Sequence, residues 1–566
     1  MIAKSPSLTT PYERADYENA VVNSALWAAA GDALGWMTEL SRDRSNVRHR
    51  TGRERVTEPV AWRRLIGGRS GVTVDLAAGT YSDDTQLRLC VSRSIRGDGA
   101  FDVETFAKIE LTVWQGYSLG AGNGSKAAAL NLSKRGVNWF SNFFNDDRQK
   151  YTNAGGNGAA MRIQPHVWSE RASAENTFLD VVRDSIVTHG HPHGFGGALF
   201  HAMCLRDVIR NRSLPELRDA EGYIEAIRWL PKMIQGDSEL SQFWMPSWER
   251  EAGTSLSAAL NKFCDDALED LALVPEVPSQ GAEVAYIDFL EKTGCLGDRF
   301  RGSGFKTALA AFVLSRLFGV NRITEALTVA ANEIRSDTDT IATMAGALLG
   351  AVANTPPTWP VQDRAYLEEE ARRLAAIAFG DAQESFSYPD VSTWEAPSSQ
   401  SDAVVRFDGG FALVGLGKAR ASGQEYRTGG FVWQWMDLPF GQSVLAKRRV
   451  GVDSVVDVGQ MPGRYQAPKV STMKEAGYGV QERLPLDPSP ANDERASRGR
   501  PTDYHARVGG FPGVDKATDI VIASGFEDAV IGRMINQCIE DTGSIEQAIS
   551  LTAIIAKARV ARMKRR

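Results

Sequence analysis

Two short acidic segments, far apart in the chain, contain the residue types best suited to metal chemistry. They are Ser82-Asp83-Asp84-Thr85 and Ser336-Asp337-Thr338-Asp339-Thr340, and each stands at the expected start of a helix. Both combine carboxylates with hydroxyls, the oxygen-only ligand set that hard cations such as Mg²⁺ or Mn²⁺ prefer. If the fold joins the two segments, they supply about six oxygen ligands, which is enough for two ions.

Two glycine-rich segments suggest a phosphate-containing ligand. They are Gly120–Ser125 (GAGNGS) and Gly155–Arg162 (GGNGAAMR). Glycine lets backbone N–H groups approach a phosphate closely, so two such loops favour a diphosphate. Two further segments accompany them: Gly31–Gly35 (GDALG) closes the first predicted helix, with Glu39 just beyond, and Thr188-His189 precedes another helix.

The elements that must position these residues are mostly helical between residues 17 and 380. A buried helix is predicted from Tyr17 to Leu40, because this stretch is alanine-rich and apolar on more than one face. Helix-like patterns recur at 83–96, 104–117, 173–187, 195–211, 254–273, 307–318, 324–332 and 338–353.

The composition changes near residue 386. The segment 386–402 is rich in proline and serine and is interpreted as a linker. Short strands are predicted at 403–407, 411–416, 430–436 and 450–458, a long exposed loop at 480–504, and closing helices at 526–541 and from 544 to the basic tail Lys564-Arg565-Arg566. The predicted architecture is thus an all-α domain (1–385), a linker (386–402) and a smaller α+β accessory domain (403–566).

Composition limits the function classes. The chain has 566 residues, enough for two to four domains, and its net charge of −6 gives no sign of a nucleic-acid-binding protein. Its five cysteines are scattered without a CxxC pair, which argues against zinc and disulfides and favours the reducing cytoplasm. The polar N-terminal segment does not resemble a signal peptide, and no apolar run reaches the length of a membrane span.

Taken in order along residues 17–380, these segments resemble the ADP-ribosylglycohydrolase family, which includes the dinitrogenase reductase-activating glycohydrolase. The family pattern is approximately GDALG-x-x-x-E, TDDT, a GxG loop, GNG-x-x-MR, TH, and GDTDT-x-A-x-x-AG-x-x-x-G. In this chain the last segment is SDTDTIATMAGALLG, ending at Gly350. No resemblance was identified for the C-terminal region.

The resemblance implies a compact all-α ADP-ribosylglycohydrolase-like fold around two Mg²⁺ ions, with Mn²⁺ as an alternative. It also implies hydrolysis of the bond between ADP-ribose and a modified protein or nucleic-acid target. Residue by residue, it assigns metal ligation to Ser82, Asp83, Asp84, Asp337, Asp339 and Thr340. It assigns catalysis to Glu39, Asp84 and Asp337. It assigns ADP-ribose binding to Gly122, Ser125, Gly156, Asn157, Gly158 and His189.

This chain departs from the family pattern at three positions, none of which removes a ligand. Ser82 replaces the usual threonine and keeps its hydroxyl, and Met37 stands where proline is frequent. Arg335 precedes the second acidic segment, where it would either crowd the pocket or contact a phosphate. The helix N-termini beneath both acidic segments are expected to keep their carboxylates ionised at neutral pH.

Several alternatives remain open at this stage. Each acidic segment alone is more often a helix cap. The histidines of 188–193 could bind a transition metal, and the eight arginines within 42–64 form either a solvated loop or a contact with an acidic partner or nucleic acid. The competing function is a non-catalytic ADP-ribose sensor, and neutralisation of an ADP-ribosyltransferase toxin is a variant of the hydrolase. The accessory domain is expected to bind the target or a partner protein.

Overall fold

The computed structural model describes residues 11–146, 149–171, 173–452, 454–463 and 511–563. The predicted loop 480–504 and the basic tail 564–566 lie outside these residues. The helices of the N-terminal region are α1 (Pro11–Trp36), α2 (Arg44–Thr51), α3 (Asp83–Ser94), α4 (Val103–Thr105), α5 (Leu111–Trp114), α6 (Asn123–Leu132), α7 (Gln164–Trp168), α8 (Ala174–Ile186), α9 (Pro192–Asn211), α10 (Leu217–Ile227), α11 (Leu230–Ile234), α12 (Met245–Ala252), α13 (Leu256–Leu271), α14 (Ala282–Lys292), α15 (Gly304–Phe318), α16 (Ile323–Asn332), α17 (Thr338–Val352) and α18 (Arg364–Ala378).

Helices α1 and α17 form the centre of the helical region, and they run antiparallel in very close contact. A Cβ atom on Gly31 would lie 2.3 Å from the carbonyl oxygen of Ala342, and one on Gly346 would lie 2.4 Å from that of Trp27. The Thr343 hydroxyl donates to the carbonyl of Ala28 at 2.8 Å. The glycines let the two backbones touch, and the C-terminal end of α1 therefore meets the N-terminal end of α17.

Two antiparallel sheets complete the fold. A two-stranded hairpin, β1 (Trp62–Ile66) and β2 (Val72–Leu76), lies between α2 and α3. A five-stranded meander follows α18, with strands in sequence order: β3 (Val404–Phe407), β4 (Gly410–Leu413), β5 (Gly417–Thr428), β6 (Phe431–Asp437) and β7 (Ser443–Arg449). The prediction of a helical domain followed by a smaller region with strands and helices is confirmed.

One strand assignment was wrong, and the sequence did not predict β5 or β7. The described residues of the predicted strand at 450–458 form only one isolated bridge, between Val455 and Arg406, and β7 ends just before them at Arg449. Strand β5 was not predicted because its sequence, GKARASGQEYRT, has few apolar residues and its side chains are mostly exposed. Hydrogen bonds to β4 and β6, rather than a hydrophobic face, hold this strand in the sheet.

The meander shares its hydrophobic core with the helices. Buried residues of the sheet such as Leu413 and Val444 belong to the same continuous cluster as those of α1 and α17. A buried polar contact reinforces this packing, because Arg93 of α3 donates to the side chain of Gln442 at 2.7 Å. Within 386–402, Trp394 is buried and the Tyr388 hydroxyl donates to Glu110, so this segment lies against the helical region.

The three closing helices form a small unit with its own core. They are α19 (Val514–Ala523), α20 (Asp528–Thr542) and α21 (Ile545–Met563), and they enclose a separate cluster that includes Val521, Cys538 and Leu551. Ion pairs from Arg135 to Asp519 and from Lys557 to Glu104 tie this unit to the helical region.

The cysteines and the helix lengths complete the description. All five cysteines are free and buried. Among the described residues, no helix combines the length and apolar character that crossing a bilayer requires.

Candidate active site

Asp32, near the end of α1, holds the first acidic segment in place. Its fully buried carboxylate accepts hydrogen bonds from the N–H groups of Ser82 and Thr85, both at 2.9 Å, and from the Thr85 hydroxyl at 2.5 Å. The Ser82 hydroxyl in turn accepts the N–H of Asp84 at 3.2 Å and caps α3. These bonds fix the backbone from which Asp83 and Asp84 project.

The contact between α1 and α17 brings the second acidic segment to the first. The Thr338 hydroxyl donates to the carbonyl of Gly35 at 2.9 Å, at the end of α1. The hydroxyl of Thr340 lies 3.5 Å from Oδ1 of Asp84, so side chains of the two segments meet directly. The fold therefore joins two segments that are separated by most of the helical region.

Glu39 follows the turn at the end of α1 and faces the same place. Its carboxylate accepts a hydrogen bond from Arg64 of β1 at 2.6 Å, and its backbone carbonyl accepts one from Arg50 at 2.7 Å. Both side chains of the Glu39–Arg64 ion pair are largely buried, with 14% and 10% of their surface exposed. Two of the arginines in the 42–64 cluster are thus used inside the chain.

Arg162 anchors the second glycine loop from the buried side. The guanidinium donates to the carbonyl of Gly158 at 2.9 Å, to Asp184 at 2.8 Å and to the Thr188 hydroxyl at 2.9 Å. The Thr188 hydroxyl is 2.7 Å from Nδ1 of His189. This contact orients the imidazole ring beside the second glycine loop.

Asn157 connects this loop to the second acidic segment. Its side-chain amide donates to Asp337 at 3.0 Å, and its backbone N–H donates to the carbonyl of Gly302 at 2.9 Å. The N–H of Gly304 returns a bond to Gly155 at 2.9 Å, so the segment before α15 pairs with the loop. The loop and the carboxylates are therefore parts of one wall.

All of these groups open into one cleft of about 1190 Å³. Of the residues assigned from the sequence, twelve line it: Glu39, Asp83, Asp84, Gly122, Ser125, Gly156, Asn157, Gly158, His189, Asp337, Asp339 and Thr340. Ser82 does not line the cleft, since its buried hydroxyl caps α3. Arg335 forms an ion pair with Glu333 at 2.8 Å and does not line the cleft either, so it neither crowds the pocket nor reaches a ligand in it.

A family model described as ADP-ribosylglycohydrolase matches residues 13–384, which is more than half of the chain. The chain belongs to the ADP-ribosylglycohydrolase family. The match contains every residue of the cleft wall described above and ends before the five-stranded sheet. The C-terminal region lies outside it.

Two curated relatives carry the same name, ADP-ribosylarginine hydrolase Tri1. The protein from Pseudomonas putida (strain GB-1) is 24% identical over 346 residues, which is 59% of this chain and 71% of the relative. The one from Serratia proteamaculans (strain 568) is 27% identical over 194 residues, or 33% of this chain and 46% of the relative. A solved structure described as an ADP-ribosylglycohydrolase-related protein complex aligns with 64% of this chain and 99% of its own, at 18% identity and a TM-score of 0.38.

The sequence did not reveal several residues of this family member's site. Asp32 was noted only as part of a motif, although its buried carboxylate organises the first acidic segment. Arg64 was grouped with surface arginines. The outer wall of the cleft comes from α13, the loop before α15 and the first turn of α15, where the additional charged residues are Lys262, Asp266, Glu269, Asp270, Asp298, Arg299 and Lys306. No motif marks these outer residues, and only the fold brings them to the cleft.

The cleft is strongly acidic. Nine carboxylate side chains and three cationic ones line it. Burial raises the pKa of Asp83, Asp84 and Asp339 well above the usual range, and repulsion from neighbouring carboxylates, Glu39 and Asp32 among them, raises it further. Burial and mutual repulsion therefore act against the helix N-termini, which favour the ionised carboxylates.

The positions of the carboxylates and hydroxyls decide whether they can hold a divalent cation. As the side chains stand, no three His, Cys, Asp or Glu residues of the described segments form a group that could hold an ion alone, and this includes the histidines of 188–193. However, Oδ2 of Asp84 is buried without a hydrogen-bond partner, beside a threonine hydroxyl. Mg²⁺ typically uses one or two carboxylates and keeps several waters, and a cation would relieve the repulsion between the carboxylates. The donors therefore fit a hard cation with hydroxyl and water ligands.

His193 has a structural use of its own. Its Nδ1 lies 2.9 Å from the hydroxyl of Ser303, and burial lowers the pKa of its imidazole to about 4. The backbone N–H of His193 donates to Nδ1 of His191 at 3.2 Å. These contacts hold the start of α9 against the segment that pairs with the second glycine loop.

Proposed function

We propose that this protein hydrolyses the N-glycosidic bond between ADP-ribose and an arginine side chain of a modified target, with divalent cations bound at the acidic segments. The observation that carries the proposal is the single cleft that holds both acidic segments, Glu39 and both glycine loops. Family membership supports the reaction class, and the name of the two curated relatives supports arginine as the acceptor.

The glycine loops are suited to the diphosphate of ADP-ribose. Gly122 precedes the first turn of α6, and the unpaired N–H groups of a helix N-terminus favour an anion. On the facing loop, Gly158 carries no side chain that would block approach, and a Cβ there would lie 3.0 Å from the His189 ring. Burial lowers the pKa of His189 to about 3, so at neutral pH its imidazole is uncharged.

The cation would be held by Asp83, Asp84, Asp337, Asp339 and Thr340, whose side chains converge in the cleft. When bound, Mg²⁺ or Mn²⁺ polarises ribose oxygens and lowers the pKa of a coordinated water. Ser82 supports this site through the backbone rather than from the cleft lining.

The chain's own carboxylates then serve the glycosidic step. Cleavage passes through an oxocarbenium-like state, and a water must be deprotonated as it attacks the ribose carbon. Glu39 is fixed by Arg64 and faces this centre, so it is placed to accept that proton. Asp84 and Asp337, the other assigned catalytic groups, orient the water and the ribose. Asn157 keeps Asp337 in position.

The acidic cleft also suits the acceptor. The departing guanidine takes the electron pair of the broken bond and receives the proton that Glu39 removed from the water, which makes it a guanidinium. An excess of six carboxylates over cations in the lining attracts this cation. The outer wall contributes Asp266, Glu269 and Asp298 to this excess. We therefore favour arginine over serine or a nucleobase as the acceptor. The free buried thiols further support a reducing compartment, the cytoplasm, as the place of action.

The test is release of ADP-ribose from an ADP-ribosyl-arginine conjugate, with Mg²⁺ and with EDTA, beside the double variant Asp337→Ala/Asp339→Ala. We expect metal-dependent turnover that falls by at least about 1000-fold in the variant, because the groups act as one unit. A control is Asp43→Ala, an exposed helix cap that does not line the cleft, which should keep wild-type turnover.

Two outcomes would contradict the proposal in different ways. Turnover of a serine or nucleobase conjugate, but not of the arginine conjugate, would refute the acceptor and keep the reaction class. Tight ADP-ribose binding without turnover of any conjugate would refute the hydrolase and favour a sensor.

A further inference from the structure

Arg64 is held in a fixed orientation beside the cleft. Its guanidinium donates to Glu39 at 2.6 Å through Nη2 and to the carbonyl of Trp36 at 2.8 Å through Nη1. The same group lies over two indole rings, with its central carbon 5.0 Å from the centre of Trp36 and 5.9 Å from that of Trp62. A planar guanidinium with two directed bonds and two aromatic neighbours has little freedom to move.

Among the described residues, Arg64 is the side chain that hydrogen-bonds the Glu39 carboxylate, and Arg301 attracts it more weakly. Glu39 stands after the end of α1, where the backbone turns through a left-handed Leu40 with φ of 56°. The nearby carboxylate of Asp337 repels it. The Arg64 bond is therefore the contact that sets the direction of the Glu39 carboxylate and offsets the repulsion.

Arg64 lies on β1, and the hairpin that carries it rests on the C-terminal sheet. The N–H of Asp75 on β2 donates to the Tyr426 hydroxyl of β5 at 3.2 Å, and the Gln424 amide donates to the Asp75 carboxylate at 3.2 Å. At the turn of the hairpin, a Cβ on Gly67 would lie 2.6 Å from the ring of Trp433. Glycine at that position lets the ring pack against the hairpin backbone.

We propose that Arg64 is a positioning residue for Glu39, and that the C-terminal sheet supports catalysis by bracing the hairpin on which Arg64 stands. The route runs from Trp433 on β6, through the turn at Gly67, to Arg64 and then to Glu39. This inference rests on the proposed hydrolase function. It assigns the sheet, which lies outside the family match, a task inside the active site rather than in recruiting a partner.

The first test compares Arg64→Ala and Arg64→Lys with wild type in the full-length, Mg²⁺-loaded protein. We expect Arg64→Ala to lower kcat by roughly 100-fold, the scale for a misplaced catalytic group, with KM changed less than about threefold. Arg64→Lys should recover part of kcat, because it restores the charge without the two directed bonds. The control is Arg48→Ala on α2, whose side chain is 69% exposed and pairs with Glu54; it should retain wild-type kcat.

The second test uses Trp433→Ala and the double variant Arg64→Ala/Trp433→Ala. We expect Trp433→Ala to lower kcat by roughly fivefold, a typical size for coupling through packed elements. In the Arg64→Ala background the same change should cost little more, because both act on Glu39 by one route. Thermal unfolding and ADP-ribose affinity, measured on each variant, separate this from a general loss of structure.

The outcomes distinguish the inference from the proposed function. Wild-type turnover with an equally active Arg64→Ala would overturn the positioning role alone. Fully multiplicative losses in the double variant would overturn the route through the sheet. Absence of turnover by the wild-type protein on any conjugate would instead refute the hydrolase on which the inference rests.

Discussion

One buried carboxylate outside the cleft lining, that of Asp32, holds the first acidic segment in place. Twelve of the residues assigned from the sequence line one cleft. The sequence could not show that Asp32, which does not line the cleft, accepts hydrogen bonds from the backbone N–H groups of Ser82 and Thr85. An aspartate that binds a substrate and one that binds the backbone look the same in a sequence, since only the tertiary partner differs.

A pH effect is expected at His201 of α9, which is buried away from the carboxylates. Its Nε2 accepts from Gln164 at 3.0 Å, and burial, together with the charge of Arg88, lowers its pKa from 6.5 to about 3. Between these values the unfolded chain binds a proton that the folded chain does not, so stability is lost as pH falls from about 6.5 towards 3.

His201→Gln should therefore reduce the pH dependence of stability in this window. The glutamine can still accept the bond from Gln164 but does not titrate. The slope of the unfolding free energy between pH 4 and 6 should fall by about 1.4 kcal/mol per pH unit relative to wild type. Urea unfolding in EDTA at several pH values measures it, and parallel curves for the two proteins would contradict the assignment.

At the level of elements, the α1–α17 contact positions the site, and glycine makes it possible. Gly346→Ala would put a Cβ 2.4 Å from the Trp27 carbonyl, so the helices must separate. We expect a loss of about 3 kcal/mol in the free energy of unfolding, as for an overpacked core. The matched control is Gly222→Ala in α10, where no atom lies within 4 Å of the new Cβ.

That control should stabilise the protein by about 0.5–1 kcal/mol, because alanine is the better helix former. Denaturant unfolding of both variants compares them directly. Equal effects of the two substitutions would show that the close approach of α1 and α17 does not limit stability.

Helices were easier to predict than strands for a physical reason. The sequences of α1 and α17 are rich in alanine and glycine and apolar on nearly every face, because both helices are buried on nearly every side. This pattern is visible in the sequence alone. Strand β5 carries no such pattern, since neighbouring strands supply its bonds. The outer wall of the cleft escaped prediction similarly: Asp266 and Asp298 reach it only through the packing of α13 and the loop before α15.

For the whole molecule, the shared core predicts how the chain tolerates truncation. A protein ending after residue 463 loses the α19–α21 unit, which has a separate core, and should stay folded and active. A protein ending after residue 402 loses Leu413 and Val444 from the common core and the Gln442 partner of buried Arg93. It should aggregate or unfold well below the wild-type temperature.

Size-exclusion chromatography, thermal unfolding and ADP-ribose release on both truncated proteins provide the measurement. A monomeric, fully active protein ending after residue 402 would show that the sheet is dispensable to the helical core. It would also contradict the bracing of the hairpin.

The placement of the thiols makes the two hydrophobic clusters separately observable. Cys90, Cys204, Cys264 and Cys295 lie in the common core, whereas Cys538 lies in the small cluster of the closing helices. A buried thiol reacts with an alkylating reagent only when its surroundings open, so each rate of labelling reports a local opening equilibrium. Mass spectrometry of the labelled protein, without any engineered probe, would then give one opening free energy for the closing helices and another for the region that contains the common core.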